Sequence, residues 1–113
     1  MHELSIVMSI IDIAQQEAVK ANADIIEEIE IDIGCLSTIE MNAFDFAWSH
    51  AVKQTVLERT VKKINRIKGA AICMDCDATF AMENLYDGCP VCGKHLVSIL
   101  SGKELRVKSL VVS

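Results

Sequence analysis

The chain has 113 residues, of which 51% are hydrophobic and only 4% aromatic, and it carries a formal net charge of −5. That length suits one domain, or a small domain with a metal-stapled appendage, burying roughly two-thirds of its unfolded surface. Its acidic balance and scarce aromatics (Phe44, Phe46, Trp48, Phe80, Tyr86) argue against a nucleic-acid partner, which needs basic groups for phosphate and rings for bases. No run approaches the ~18 apolar residues of a membrane span, and Met1-His2-Glu3 lacks a basic signal-peptide opening, so the expectation is a cytoplasmic protein without membrane insertion.

From Leu4 to about Lys20, Leu4, Val7, Met8, Ile11 and Ala14 recur at helical spacing against a polar stripe of Ser5, Ser9, Asp12 and Gln16. Ala21-Asn22-Ala23-Asp24 ends this helix. Glu28-Ile29-Glu30-Ile31-Asp32-Ile33-Gly34 then alternates strictly, predicting a strand with isoleucines on one face and solvated carboxylates on the other. A second helix is expected from a Ser37 or Thr38 cap to about Lys53, with Ile39, Ala43, Phe46, Ala47 and Ala51 inward, and Phe44 and Trp48 flanking that stripe. Val56 to Ile67 reads as a strand interrupted by a bulge at Lys62-Lys63. Short strands follow at Thr79–Met82 and Leu96–Leu100, and Lys103 to Val112 supplies a last one. The pattern is α+β: two helices on a small, mostly antiparallel sheet, with an inserted zinc-ribbon subdomain and a C-terminal strand returning to the sheet. The expected division is 1–68 plus 103–113 for the base domain and 69–102 for the ribbon.

The ribbon expectation rests on Cys73-Met-Asp-Cys76 and Cys89-Pro-Val-Cys92, two C-x2-C pairs separated by twelve residues. Each such turn aims two sulfurs at one point, and zinc, without a geometric preference of its own, takes four thiolates at about 2.3 Å. Gly93 suits the positive-φ position that follows a knuckle. Disulfides or redox-active thiols are the alternatives, and a reducing cytosol favours metal over disulfide. The fifth cysteine, Cys35, reads as a small core thiol; His50 and His95 read as surface residues; Met8 and Met41 read as core filler.

The other unusual place is Met1-His2-Glu3. The Met1 α-amine, the backbone nitrogen of His2 and its imidazole can form fused chelate rings around a Ni(II) or Cu(II) ion, with Glu3's backbone nitrogen, its carboxylate or an outside donor completing the set. A histidine at position two is ordinarily just an exposed residue. The chain carries no P-loop, G-x-S-x-G, H-E-x-x-H or dinucleotide fingerprint, and no constellation in it points to catalysis. Two other readings compete: a zinc-ribbon module for nucleic acid or a transcription partner, with Lys62, Lys63, Arg66 and Lys68 as its basic stretch, and a thiol oxidoreductase using one C-x2-C pair.

Met1-His2-Glu3 opening a helix, Ile33-Gly34 with Leu36-Ser37, Phe46-Ala47, the two cysteine pairs ending in Cys92-Gly93, and Gly102-Lys103-Glu104-Leu105 together resemble the HypA/HybF family of hydrogenase nickel-incorporation proteins. The resemblance runs from end to end. Met41-Asn42 departs from it, where relatives commonly carry Pro-Glu, and Cys35 replaces a residue that is usually polar. The resemblance implies a metallochaperone, not an enzyme, that carries Ni(II) as cargo to the [NiFe]-hydrogenase large-subunit precursor beside a HypB-type GTPase. It implies nickel at the extreme N-terminus around His2, and structural Zn(II) at Cys73, Cys76, Cys89 and Cys92.

Overall fold

The computed structural model describes residues 2–113, in the order α1 (His2–Lys20), β1 (Ile26–Gly34), α2 (Met41–Ala51), β2 (Val61–Ile67), β3 (Gly69–Cys73), β4 (Thr79–Met82), β5 (Val97–Ser101) and β6 (Leu105–Val112). Two three-stranded sheets form, β2-β1-β6 and β4-β3-β5. The chain divides into two compact units, residues 1–31, 39–64 and 107–113, and residues 32–38 and 65–106. The metal-motif segment 69–102 lies wholly within the second.

The final strand does return to the first sheet, beside β1. Ser113 N–H donates to Ile25 O at 2.9 Å and Gly34 N–H to Glu104 O at 2.7 Å, so β6 runs antiparallel to β1. Partners on β2 advance with β1 instead, from Glu28 with Lys63 to Asp32 with Asn65 and Cys35 with Ile67. These two strands are parallel, with α2 in their crossover. In the second sheet β3 pairs antiparallel with both neighbours.

In the first unit the apolar stripe of α1 buries Val7, Ile10, Ile11, Ala14 and Ala18, and Ile26, Ile29 and Ile31 from β1 are also buried. Fully burying an aliphatic side chain of this size stabilises by roughly 1.5–3 kcal/mol. Leu4 and Met8, expected inside, are 40% and 49% exposed. Asn22 ends α1 in the left-handed region at φ 54, with Ala23 N–H reaching back to Ala18 O, an asparagine version of the usual glycine stop.

Helix α2 departs from expectation. Ser37 turns back on Gly34 O and Thr38 has φ 65, so Glu40 becomes the N-cap, accepting from the amides of Asn42 and Ala43. Its buried residues are Phe44, Ala47 and Trp48, and Phe46 is 64% exposed against His50. The helix also stops at Ala51 rather than Lys53. Residues expected at the start of the next strand form turns instead, and Leu57 is fully buried from them; β2 begins only at Val61. Met8 is not core filler, and Cys35 is an exposed thiol, not a core one. The packed methionine is Met82, buried with Leu36 and Ala71 in the second unit.

Three carboxylates of β1 are not left to water. Glu28 pairs with Lys63, Glu30 with Lys108, and Asp32 with Arg106, so the acidic centre strand is flanked by cations on both sides. Asp32 is only 3% exposed and accepts from Asn65 Nδ2 and Arg106 Nε, both at 2.9 Å. Because the Arg106 side chain is 67% exposed, water can take over its charge if the carboxylate is removed. Asp32→Ala should therefore destabilise by about 1–3 kcal/mol, below the ~3–5 kcal/mol of breaking a fully buried pair. Urea unfolding checks this, and a variant as stable as the parent would contradict it.

Candidate metal centre

The two cysteine knuckles repeat one backbone pattern. In the first, Asp77 N–H donates to Cys73 O at 2.9 Å, and Cys73 N–H donates to Ala78 O at 2.8 Å. In the second, Gly93 N–H donates to Cys89 O and Cys89 N–H to Lys94 O, both at 2.8 Å. The residue after each second cysteine takes positive φ, 61° at Asp77 and 74° at Gly93. Glycine adopts that conformation freely, and aspartate is among the few others that tolerate it.

These turns bring all four sulfurs within 4.8 Å of one another. Cys73 Sγ lies 3.6 Å from Cys92 Sγ, and Cys76 Sγ 3.7 Å from Cys89 Sγ. Both separations are far beyond a disulfide's ~2.05 Å, whereas a tetrahedral ion with sulfurs at about 2.3 Å spaces them by roughly 3.8 Å. The donor set fits zinc. The first cysteine of each knuckle is buried and the second exposed.

The electrostatics point the same way. Cys89 is drawn down to about 7 by the N–H groups of Cys92 and Val91, against the opposing effect of burial. At Cys76 the Ala78 N–H pulls downward, but burial and the three neighbouring sulfurs outweigh it and push the thiol up to about 12. Cys92 is also raised, with the Lys94 N–H overcome by burial and by Cys73. Cys76 and Cys92 thus hold their protons when no cation balances the cluster, while Cys89 gives its proton up more readily; a central dication favours the thiolates. Among the described residues none of the four cysteines opens a helix, the usual device for activating a redox thiol.

The N-terminal candidates lie on α1. His2 is its first residue and is exposed, and Glu3 follows in the first turn. The Met1 amine lies outside the described residues. The Glu3 carboxylate accepts from Glu40 N–H at 3.2 Å, and that amide holds its pKa below the ordinary carboxylate value. His50 rests against Phe46 with centroids 4.6 Å apart. The ring of His95 lies over the α-carbon of Gly88, where a Cβ would come within 2.9 Å of Nε2. Of the basic stretch, Lys62 pairs with Asp45 at 2.7 Å beneath the Phe44 and Trp48 rings, and Lys63 pairs with Glu28.

The sequence profile of hydrogenase/urease nickel-incorporation metallochaperones, HypA, matches residues 1–112. The chain belongs to the HypA family. A HypA hydrogenase maturation factor of Parabacteroides distasonis is 44% identical over 112 residues, covering 99% of this chain and 97% of that protein. One from Rhizobium leguminosarum bv. viciae is 34% identical, with 99% of each covered. The solution structure of the Ni metallochaperone HypA from Helicobacter pylori superimposes with a TM-score of 0.68 at 29% identity, covering 97% of this chain and 96% of that one. A second HypA solution structure gives 0.71 at 30% identity, covering 100% and 97%. The nucleic-acid and oxidoreductase readings find no support in these relatives.

HypA-like residues that looked unrelated in sequence meet in the second unit. Gly34 N–H reaches Glu104 O and Leu36 N–H reaches Gly102 O, each at 2.7 Å, while the Glu104 carboxylate takes Gly102 N–H. Gly69 joins them: a Cβ on Gly102 would sit 2.7 Å from Gly69 Cα. Sequence reasoning passed over Gly69, Glu40 and the buried role of Asp32. The one available signal was a glycine placed directly before an apolar run, Gly69-Ala70-Ala71-Ile72, which is β3.

Proposed function

We propose that this protein is a nickel metallochaperone that binds Ni(II) at its N-terminus and delivers it during maturation of [NiFe]-hydrogenase, with urease as a further client class. The observation that carries the reading is the HypA match across residues 1–112, which includes His2 and all four cysteines. The ligands would be the Met1 amine and His2, with Glu3 as a candidate fourth donor. Zn(II) at Cys73, Cys76, Cys89 and Cys92 would be structural. The working division is a nickel-binding domain, 1–68 plus 103–113, and a zinc ribbon, 69–102. The carrier would act in the cytoplasm, as a carrier and not an enzyme, receiving or passing nickel beside a HypB-type GTPase and meeting the hydrogenase large-subunit precursor. Among the described residues no helix is long and apolar enough to cross a membrane.

The start of a helix suits this task. Its first N–H groups have no intrahelical acceptor, so the backbone nitrogens of His2 and Glu3 can turn to a metal without breaking α1. The helix dipole favours the negative charge left by amide deprotonation there. Exposure of His2 leaves the cargo accessible to an acceptor.

The test is nickel titration of untagged protein against a version carrying two residues before Met1, which keeps every side chain but moves the α-amine away from His2. The extension should weaken binding by at least about tenfold, or 1.4 kcal/mol. Amines and imidazoles titrating near 7.7–8.0 and 6.5 must shed protons to bind, so affinity of the untagged protein should also fall as pH drops from about 8 to 6. Unchanged affinity on extension, with a flat pH profile, would exclude the N-terminal site.

A further inference from the structure

β6 is an outer strand of the first sheet, whose order is β2-β1-β6. One side of its backbone bonds β1, and among the described residues no backbone–backbone hydrogen bond from Leu105–Val112 leaves the sheet. Its other side is therefore an open row of N–H and C=O groups. The strand contains no proline, one of the usual means of blunting such an edge.

A groove of about 410 Å³ lies beside this strand, with Ile13, Glu17 and Ala21 of α1 on one side and Val107, Leu110 and Val112 of β6 on the other. All six belong to the first unit, and Ile13 and Val112 are exposed apolar residues. Lys108 borders the groove as well; its side chain is 55% exposed, and its Nζ stands 3.4 Å from Glu30. The lining carboxylate, Glu17, is engaged by Lys20 at 3.5 Å. Charge alternates across the sheet: Lys63 on β2 pairs with Glu28 on β1, and Lys108 on β6 pairs with Glu30. Arg106 with Asp32 repeats the pairing nearer the start of β6. The rows run cation, carboxylate, cation, so a further strand beside β6 would meet a cation.

We propose that the open edge of β6 is a docking site for an extended acidic segment of a partner protein, one that alternates carboxylates with aliphatic side chains and adds to the sheet as a strand beside Val107–Val112. Main-chain hydrogen bonds to the edge supply affinity, and side chains at every second position supply choice of partner. The aliphatic set enters the groove beside Ile13, and the carboxylates reach Lys108, extending the alternation of charge by one strand. A second copy of this chain is a poor occupant. Two β6 strands laid edge to edge bring Arg106 and Lys108 of both copies to one seam, and each copy carries a net charge of −5 besides. The proposal stands apart from the nickel reading and does not depend on it.

The probe is a short acetylated, amidated peptide alternating glutamate with valine, and its counterpart carries lysine in place of glutamate. Added to the full-length, zinc-loaded protein, the glutamate peptide should shift the amides of Val107–Val112 and slow their exchange with solvent. It should bind at least about tenfold more tightly than the lysine peptide, and Lys108→Glu should reverse that preference. No binding of the glutamate peptide at millimolar concentration, equal affinity for the two peptides, or amide shifts that leave β6 untouched would overturn the proposal. A folded Lys108→Glu variant with the parent's preference would do the same. Concentration-dependent dimerisation that protects these amides without peptide would assign the edge to a second copy and overturn it too. The comparison of the two peptides needs only the parent protein, so it decides the matter even where Lys108→Glu fails to fold.

Discussion

Replacing Cys89 by alanine is expected to abolish zinc binding and unfold residues 32–38 and 65–106 together. The reason is the size of the apolar core there. Its cluster buries Leu36, Ala71 and Met82, helped by the partly covered Phe80, Leu85, Val97 and Ile99, and Ile33 of β1 is the other large aliphatic residue buried among these described residues. A structural zinc can contribute roughly 10–16 kcal/mol of apparent binding free energy, as much as or more than the ~5–15 kcal/mol net stability of a whole domain. Cys89 is 2% exposed, so its loss removes a ligand and opens a buried gap as well. Hydrogen exchange reads the outcome at the amides of Cys35, Leu36 and Cys73, which donate to Ile67, Gly102 and Ala78. β1 is one strand divided between the two units, so the loss should also reach Glu28 to Ile33. Native protection at all of these amides in Cys89→Ala would show that the ribbon does not depend on its metal. Protection retained at 28–31 alone, the part of β1 that belongs to the first unit, would confine the damage to the second unit.

The second large effect concerns a residue with no chemistry of its own. Gly34→Ala would place a Cβ 1.8 Å from Gly102 O and 2.1 Å from Gly102 C. Both obstacles are backbone, so no side-chain rotation relieves them. Separating the strands also breaks the bonds from Gly34 N–H to Glu104 O and from Leu36 N–H to Gly102 O. Overpacking alone costs about 1–3 kcal/mol and each lost hydrogen bond about 0.5–1.5, so a destabilisation of about 3–5 kcal/mol is expected. Gly93→Ala is the control: nothing lies within 4 Å of its Cβ position, and the penalty of a left-handed alanine at φ 74 is only about 1–2 kcal/mol. Urea midpoints of the two zinc-loaded variants should differ clearly. Equal midpoints would mean that the close approach of Gly34 to Gly102 is not what the glycine is for.

These cases show which features the sequence carried openly. Period-2 alternation in Glu28–Gly34 and the C-x2-C spacing are local patterns whose meaning survives folding, and both led to elements that form. On α2 the expected Ala47 is buried, but Phe44 and Trp48 from the flank bury in place of Phe46, and the cap is Glu40 rather than Ser37 or Thr38, because Thr38 takes the left-handed region. Asp32 was unreadable for a different reason. Its alternation with Glu28 and Glu30 marks a polar face, but only the strands laid alongside show that Asn65 and Arg106 cover that one carboxylate. Cys35 misled by residue type, since small thiols are usually interior and this one is not. The approach of Gly34, Gly69 and Gly102 is non-local by nature: three glycines far apart in sequence share one crowded place, and no window contains them all.

The alternation of buried and exposed sulfurs across the knuckles would give a metal held by the four cysteines a direction of release. Cys73 and Cys89 are shielded, while Cys76 and Cys92 face solvent, one from each knuckle. With a metal held there, an oxidant, an electrophile or a competing chelator would reach the outer pair first, and disassembly would begin by unhooking one outer thiolate while three others still held. Dissociation would then be a sequence of reversible openings rather than a single event. Such a cage can be kinetically durable and still offer a defined first point of attack.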